Sequence, residues 1–144
     1  MSLKEEKNIE FQLINIEILE SEIKTPKETL AKNIIFSFDI AIEQRFNIEQ
    51  ELIFVICDIT IFPQDNPEQK LGKYCSSCVF KVNKLSKYIS ESKEINFSEN
   101  FIVTINSVAL STTRGLMFSL FKGTFLQSAI LPILDPSQYQ KERK

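Results

Sequence analysis

A chain of 144 residues and 16.7 kDa has room for one domain, because a second core would leave each half marginal. Its net charge of -2 and pI near 5.3 argue against a general nucleic-acid binder, which needs a basic surface to neutralise phosphates. With no His and only 3 Gly, His-based triads, His-ligated metal sites and phosphate-cradling loops are excluded.

In chain order, residues 1–8 are charged and expected to fray. From Phe11 to about Ile23, Ile and Leu alternate with polar residues, placing Ile14, Ile16 and Ile18 on one face and Asn15 and Glu17 on the other. That period-2 pattern predicts a half-buried strand. Thr25-Pro26 ends it, and a polar loop follows to Lys32. A second strand, Asn33 to Phe46, sets Ile34, Phe36, Phe38, Ile40 and Ile42 on one face and Ser37, Asp39, Ala41 and Glu43 on the other. The third, Glu51 to Phe62, is apolar on both faces through its first half and should be central. Pro63 to Pro67 is a turn. The fourth strand spans Lys73 to Asn83, with an extension to Ile89 left open. Short or polar connections between these strands imply an antiparallel sheet.

The pattern then switches. Ser98 offers an N-cap with Glu99 in the positive first turn, and Gly123 sits where a helix C′ residue belongs. The spacing predicts one long helix from Glu99 to about Phe121. The tail from Ser137 to Lys144 is polar. Strands followed by one helix give an α+β layer architecture.

Cys57, Cys75 and Cys78 are an odd set, and the opening stretch lacks the apolar segment of a signal peptide. Both point to a reducing cytoplasm and away from a disulfide framework. Apolar runs such as Leu52 to Cys57 are too short to span a bilayer, so no membrane insertion is expected. The Cys75–Cys78 pair has no second ligand pair for zinc and no helix behind it for a redox site. It reads as two small residues in a strand.

Two features go beyond the needs of a single copy. Thr104, Ser107, Ser111, Gly115 and Ser119 line one face of the helix as a stripe of small residues. Gly in a helix interior costs about 1 kcal/mol relative to Ala, so close approach of another helix is expected, in a homo-oligomer. The alternatives are packing on the chain's own sheet and a plain solvated face. Second, Thr124 to Asp135 is a loop made mostly of Phe, Leu and Ile. Loops are normally polar, so this one either lines the core or forms an apolar flap that binds something.

The chain resembles the SecB-like export chaperones over about Phe11 to Pro132. Phe11-Gln12 and the closing Pro26 are similar to that family's opening strand. Arg114, then Lys122-Gly-Thr-Phe125, Gln127 and Pro132, follow the order of its helix end and apolar loop. The resemblance implies a four-stranded antiparallel Greek-key sheet with a long C-terminal helix on one face. It implies a homotetramer, a dimer of dimers with the helices buried between dimers, Arg114 lying on that interface helix. It implies no catalysis and no cofactor, but binding of unfolded or precursor polypeptides in an apolar groove. Carried over, the groove residues are Phe121, Phe125, Leu126, Ile130, Leu131, Ile133 and Leu134.

Two departures stand out. Family members that dock the translocation ATPase SecA use acids on the outer sheet face. Glu20 keeps one, but Lys24 and Lys81 stand at the others, and two charge reversals in one small patch would weaken an electrostatic dock. The sequence beyond Pro136 is also short where the family carries a second helix, which is therefore expected to be short or absent.

The leading expectation is an ATP-independent holdase. The alternative on the same fold is a dedicated chaperone of one small client, such as the antitoxin of a toxin–antitoxin pair. An enzyme would have to rely on carboxylates such as Asp39, Glu43 or Asp58, which strands more often carry as solvated faces.

Overall fold

The computed structural model describes residues 9–92 and 94–134. The expected frayed N-terminus, the polar tail and any second helix lie outside the described residues. Four strands, β1 (Phe11–Ile23), β2 (Phe36–Asn47), β3 (Leu52–Pro63) and β4 (Gly72–Val82), precede one long helix, α1 (Glu99–Phe121). All pairings are antiparallel, and the spatial order is β1-β4-β3-β2. Hairpins join β2 to β3 and β3 to β4, while the long β1–β2 connection crosses to the far edge. This is the expected Greek-key order.

Strand boundaries follow local chemistry. In the β2–β3 turn the Asn47 side chain accepts from the Gln50 amide at 3.1 Å, and Glu51 takes a left-handed φ of 60°. β2 begins at Phe36, so Asn33 to Ile35 stay outside it. β4 stops at Val82, because Lys84 turns left-handed (φ 59°) into a short 3-10 turn at Leu85–Tyr88. No extension to Ile89 forms.

Cross-strand pairs share a face, so register sorts the sheet into two sides. The inner face holds Ile53, Val55, Cys57, Ile59 and Ile61 of β3, with Tyr74, Ser76, Cys78, Phe80 and Val82 of β4, all buried. β2 adds Phe36, Phe38, Ile40 and Ile42 in the alternation its sequence predicts. The outer face of β3 is half-buried, which agrees with its central place and its apolar run.

β1 departs from expectation. It pairs only with β4, and its residues are exposed apart from half-buried Leu13. An edge strand has a neighbour on one side only, and α1 lies mainly over β3 and β4, meeting β1 through Phe11, whose ring stands edge-on to Phe101 at 5.0 Å. Register shifts at Ile14 and Leu19 make each an extra residue in β1. Ile16 and Ile18 do share the inner face, but Ile14 is a bulge residue and not their partner.

Helix α1 starts as predicted, the Ser98 hydroxyl accepting from the Phe101 amide at 3.2 Å. By length and composition it is apolar enough to cross a membrane, a span the shorter strand runs did not suggest. In the fold one side of it, including Asn106 and Thr113, is buried on the sheet. There the Asn106 side chain accepts from the Gln44 amide nitrogen at 2.6 Å, a buried bond that fixes the helix relative to β2.

Gly72, at the start of β4, is a point of close approach. A Cβ there would come within 2.7 Å of the Leu126 side chain and 3.1 Å of the Glu22 carbonyl. We predict that Gly72→Val lowers stability by about 1–3 kcal/mol, the usual cost of overpacking, read as a drop in the urea midpoint at unchanged slope.

Candidate functional site

The helix end and the segment after it are built by side-chain capping. Gly123 takes a φ of 84°, which few other residues tolerate. Its amide donates to the Gln127 side chain at 2.8 Å. The Thr124 hydroxyl donates to the Phe121 carbonyl at 2.7 Å and accepts from the Leu126 amide at 3.1 Å. Backbone turns from Thr124 to Gln127 and from Leu126 to Ala129 follow. The Gly-Thr and Gln127 of the sequence motif are thus the residues that reverse the chain after α1.

Arg114 then ties the reversed segment to the helix. Its Nε donates to the Leu131 carbonyl at 2.7 Å and its second guanidinium nitrogen to the Pro132 carbonyl at 2.8 Å. The resemblance put Arg114 on an interface helix, but its guanidinium is engaged within its own chain.

The flap divides the predicted groove residues into two sets. Phe121, Leu126 and Leu131 are buried in the core, so as placed they offer no surface to a client. The space that a glycine leaves at position 72 lets Leu126 sink against β4. Phe125, Ile130 and Ile133 face outward at 37%, 52% and 92% exposure, and Leu134 is half-buried. Phe125 also lines a shallow depression of about 350 Å³ with Pro26, Lys27, Glu28, Thr29 and Leu30. Sequence reasoning read that β1–β2 connection only as a polar loop. A neighbouring cavity of about 480 Å³ lies between the same connection and the β3–β4 turn, with polar groups such as Asn33, Gln64 and Asn66 in its wall.

The small stripe falls opposite the buried face of α1, since 3.6 residues per turn place Thr104, Ser111, Gly115 and Ser119 about half a turn from Ile102, Asn106, Ala109 and Thr113. Those four are exposed, Ser107 is half-buried, and a Cβ at Gly115 would meet nothing within 4 Å. Packing on the chain's own sheet is therefore excluded for the stripe. Phe118 stands exposed beside it.

The outer-face lysines do not make one patch. Lys81 lies opposite Gln12, and Lys24 follows the far end of β1, bonded to the Leu71 carbonyl, roughly 33 Å away along β4 at about 3.3 Å per extended residue. Glu20 pairs with Lys73 at 3.6 Å, Lys24 with Glu22 at 3.9 Å, and Lys81 with Glu51 at 3.5 Å. Each lysine is thus neutralised locally, and exposed pairs of this kind are worth little.

The cysteine pair is separated by strand geometry. Cys78 lies on the inner face opposite Val55, whereas Cys75 lies on the outer face opposite Asp58. The two thiols point to opposite sides of β4, which closes the shared-ligand and disulfide readings. Among the described residues no group of three or more Cys, Asp or Glu is placed to hold a metal ion. Burial pushes the Cys57 thiol up to about 12, with the nearby Thr113 hydroxyl working the other way. Burial also raises Cys78 and Tyr74. Cys75 is raised by burial first and then by the Asp58 carboxylate. A thiol held above its ordinary range is a poor nucleophile.

No family model matches the chain, and none of the curated proteins compared with it is similar in sequence. Its fold is similar to that of the SecB-like chaperone Rv1957 of Mycobacterium tuberculosis, solved in complex with a ChAD peptide from the Rv1956 HigA1 antitoxin. The TM-score is 0.62 over 86% of this chain and 89% of that one, at 11% identity. The architecture is therefore SecB-like: a four-stranded antiparallel sheet under one long helix.

The thiols give a test in solution. At pH 8 a thiol-reactive dye should label half-exposed Cys75 first and leave Cys57 unmodified until the chain unfolds, as read by mass spectrometry of digests. A thiol raised in the folded state keeps a proton that the unfolded chain releases. Stability from Cys57 is thus fully present below about pH 9 and lost as pH rises toward about 12. Cys57→Ala should flatten that alkaline decline, and an unchanged slope would show that Cys57 ionises as easily in the fold as out of it.

Proposed function

We propose that the protein is a non-catalytic, ATP-independent chaperone that holds unfolded or nascent polypeptide in the cytoplasm. The observation that carries this reading is the flap. Phe125, Ile130 and Ile133 project outward from a segment fixed by side-chain hydrogen bonds. Three large apolar side chains held outward on one hydrogen-bonded segment form an apolar surface of the kind that marks binding. Extended clients would gain about 25 cal/mol for each Å² of apolar surface buried there. No polar group in the exposed set fixes an orientation, so binding would be promiscuous. The SecB-like fold supports the same reading.

A second reading, a dedicated chaperone of one small client, has one observation in its favour. The similar Rv1957 structure carries a peptide from an antitoxin. Pull-down from the native host separates the two: one dominant small client supports dedication, and many precursors with SecA support export.

In this reading the protein works as a homo-oligomer, a dimer of dimers. Two surfaces support that. The exposed side of α1 carries a stripe of small residues through Gly115 with exposed Phe118 beside it, and β1 leaves a long edge of unpaired backbone beside exposed Ile16, Ile18 and Leu19. An open sheet edge is where a further strand can add.

Two outcomes are expected. Ile133→Ser should weaken binding of a permanently unfolded client about tenfold, equivalent to about 1.4 kcal/mol, in a fluorescence titration. Absence of binding by the wild type at micromolar protein would overturn the proposal. Gly115→Ala should raise the stability of the chain by about 1 kcal/mol, while Gly115→Leu should lower the mass seen by light scattering. A Cβ at position 115 meets nothing within 4 Å in one copy, so a loss of mass with cooperative unfolding retained reports association and not misfolding.

A further inference from the structure

We infer that Arg114 is a positioning residue for client binding: by holding the Leu131 and Pro132 carbonyls it keeps Ile130 and Ile133 turned outward. The inference rests on the chaperone reading above and assigns a task that exposure alone does not.

The argument begins with the backbone of the flap. Pro132 has no amide hydrogen, so the chain around it cannot join a strand ladder. Its carbonyls still need donors wherever water is restricted. Two successive carbonyls present acceptors that a planar guanidinium meets with two fixed N–H groups, which a lysine ammonium does not reproduce. Both bonds are short, at 2.7 and 2.8 Å.

The side chains around the clamp complete the picture. Leu131 is anchored in the core, while Ile130 and Ile133 stand on either side of the clamped units, exposed. Water drives exposed isoleucine toward any apolar surface within reach, and the protein offers one at exposed Phe118, one helical turn along α1 from Arg114 on the same face. An unclamped flap would therefore turn its isoleucines onto its own chain. Held at both carbonyls, it cannot.

The test uses the full chain with reduced, carboxymethylated lactalbumin as a permanently unfolded client. Arg114→Ala should weaken binding about tenfold or more, with cooperative unfolding retained. Arg114→Lys, able to reach one carbonyl, should recover part of the loss. The decisive readout is a double-mutant cycle, because a merely structural arginine would not couple to Ile133. Ile133→Ser should cost about tenfold in the wild type but under threefold in the Arg114→Ala background. Wild-type affinity in Arg114→Ala, or an equal cost of Ile133→Ser in both backgrounds, would overturn the inference and leave the chaperone reading standing. No binding by the wild type would instead remove the reading on which it rests. Should Arg114→Ala fail to fold, the same cycle in Arg114→Lys decides, with a reduced cost of Ile133→Ser expected and an undiminished one overturning the inference.

Discussion

Everything in this structure depends on the burial of one strand face beneath one helix. Ile53, Val55, Cys57, Ile59 and Ile61 form an unbroken buried row along β3, and α1 lies over them and over β4. The helix has weak intrinsic propensity in its first turns, where Ile102, Val103, Thr104 and Ile105 follow one another. Packing on the sheet holds it. The outward face of α1 is consequently free of core duties, which is why it can carry small residues and a glycine.

The same constraint sorts which parts of the fold were legible in the sequence. β2 and α1 were readable because each buries one face, and burial on one face imposes a period; β3 was readable as an apolar run of the kind a central strand needs, and β4 is buried on both faces through its middle. β1 obeys a period only between its bulges, and nothing in Ile14 or Leu19 distinguishes a bulge isoleucine or leucine from a core one. The flap was legible as an anomaly but not as a geometry. Whether an apolar residue there turns in or out depends on distant partners, on Gly72 for Leu126 and on Arg114 for the segment around Leu131. Spacing within the loop contains neither. The charge reversals at Lys24 and Lys81 failed as a patch for a related reason, since opposite ends of a long strand pair cannot be told apart without register.

Chemistry is handled conservatively throughout. The thiols are buried or set on opposite faces, Glu20 and Glu22 of β1 face outward beside lysines, and Thr124, Gln127 and the Leu131 and Pro132 carbonyls of the flap are engaged by capping and by Arg114. What the flap presents most prominently is hydrocarbon, at Phe125, Ile130 and Ile133. The contrast between a well-bonded backbone and unsheltered isoleucines at Ile130 and Ile133 is the property from which binding follows, because a rigid apolar surface loses little conformational entropy when a client arrives.

The paired bulges of β1 have a consequence for how the strand can vary in length. Leaving out Ile14 and Leu19, the remaining residues alternate perfectly, with Phe11, Leu13, Ile16, Ile18, Ser21 and Ile23 inward and the three glutamates outward. Each bulge therefore stores a residue that the alternation does not count. Deleting Ile14, Leu19 or both would leave every other side chain on its present side. Such a strand can gain or lose a residue at these two places without inverting its faces, a tolerance to indels that a regular strand lacks.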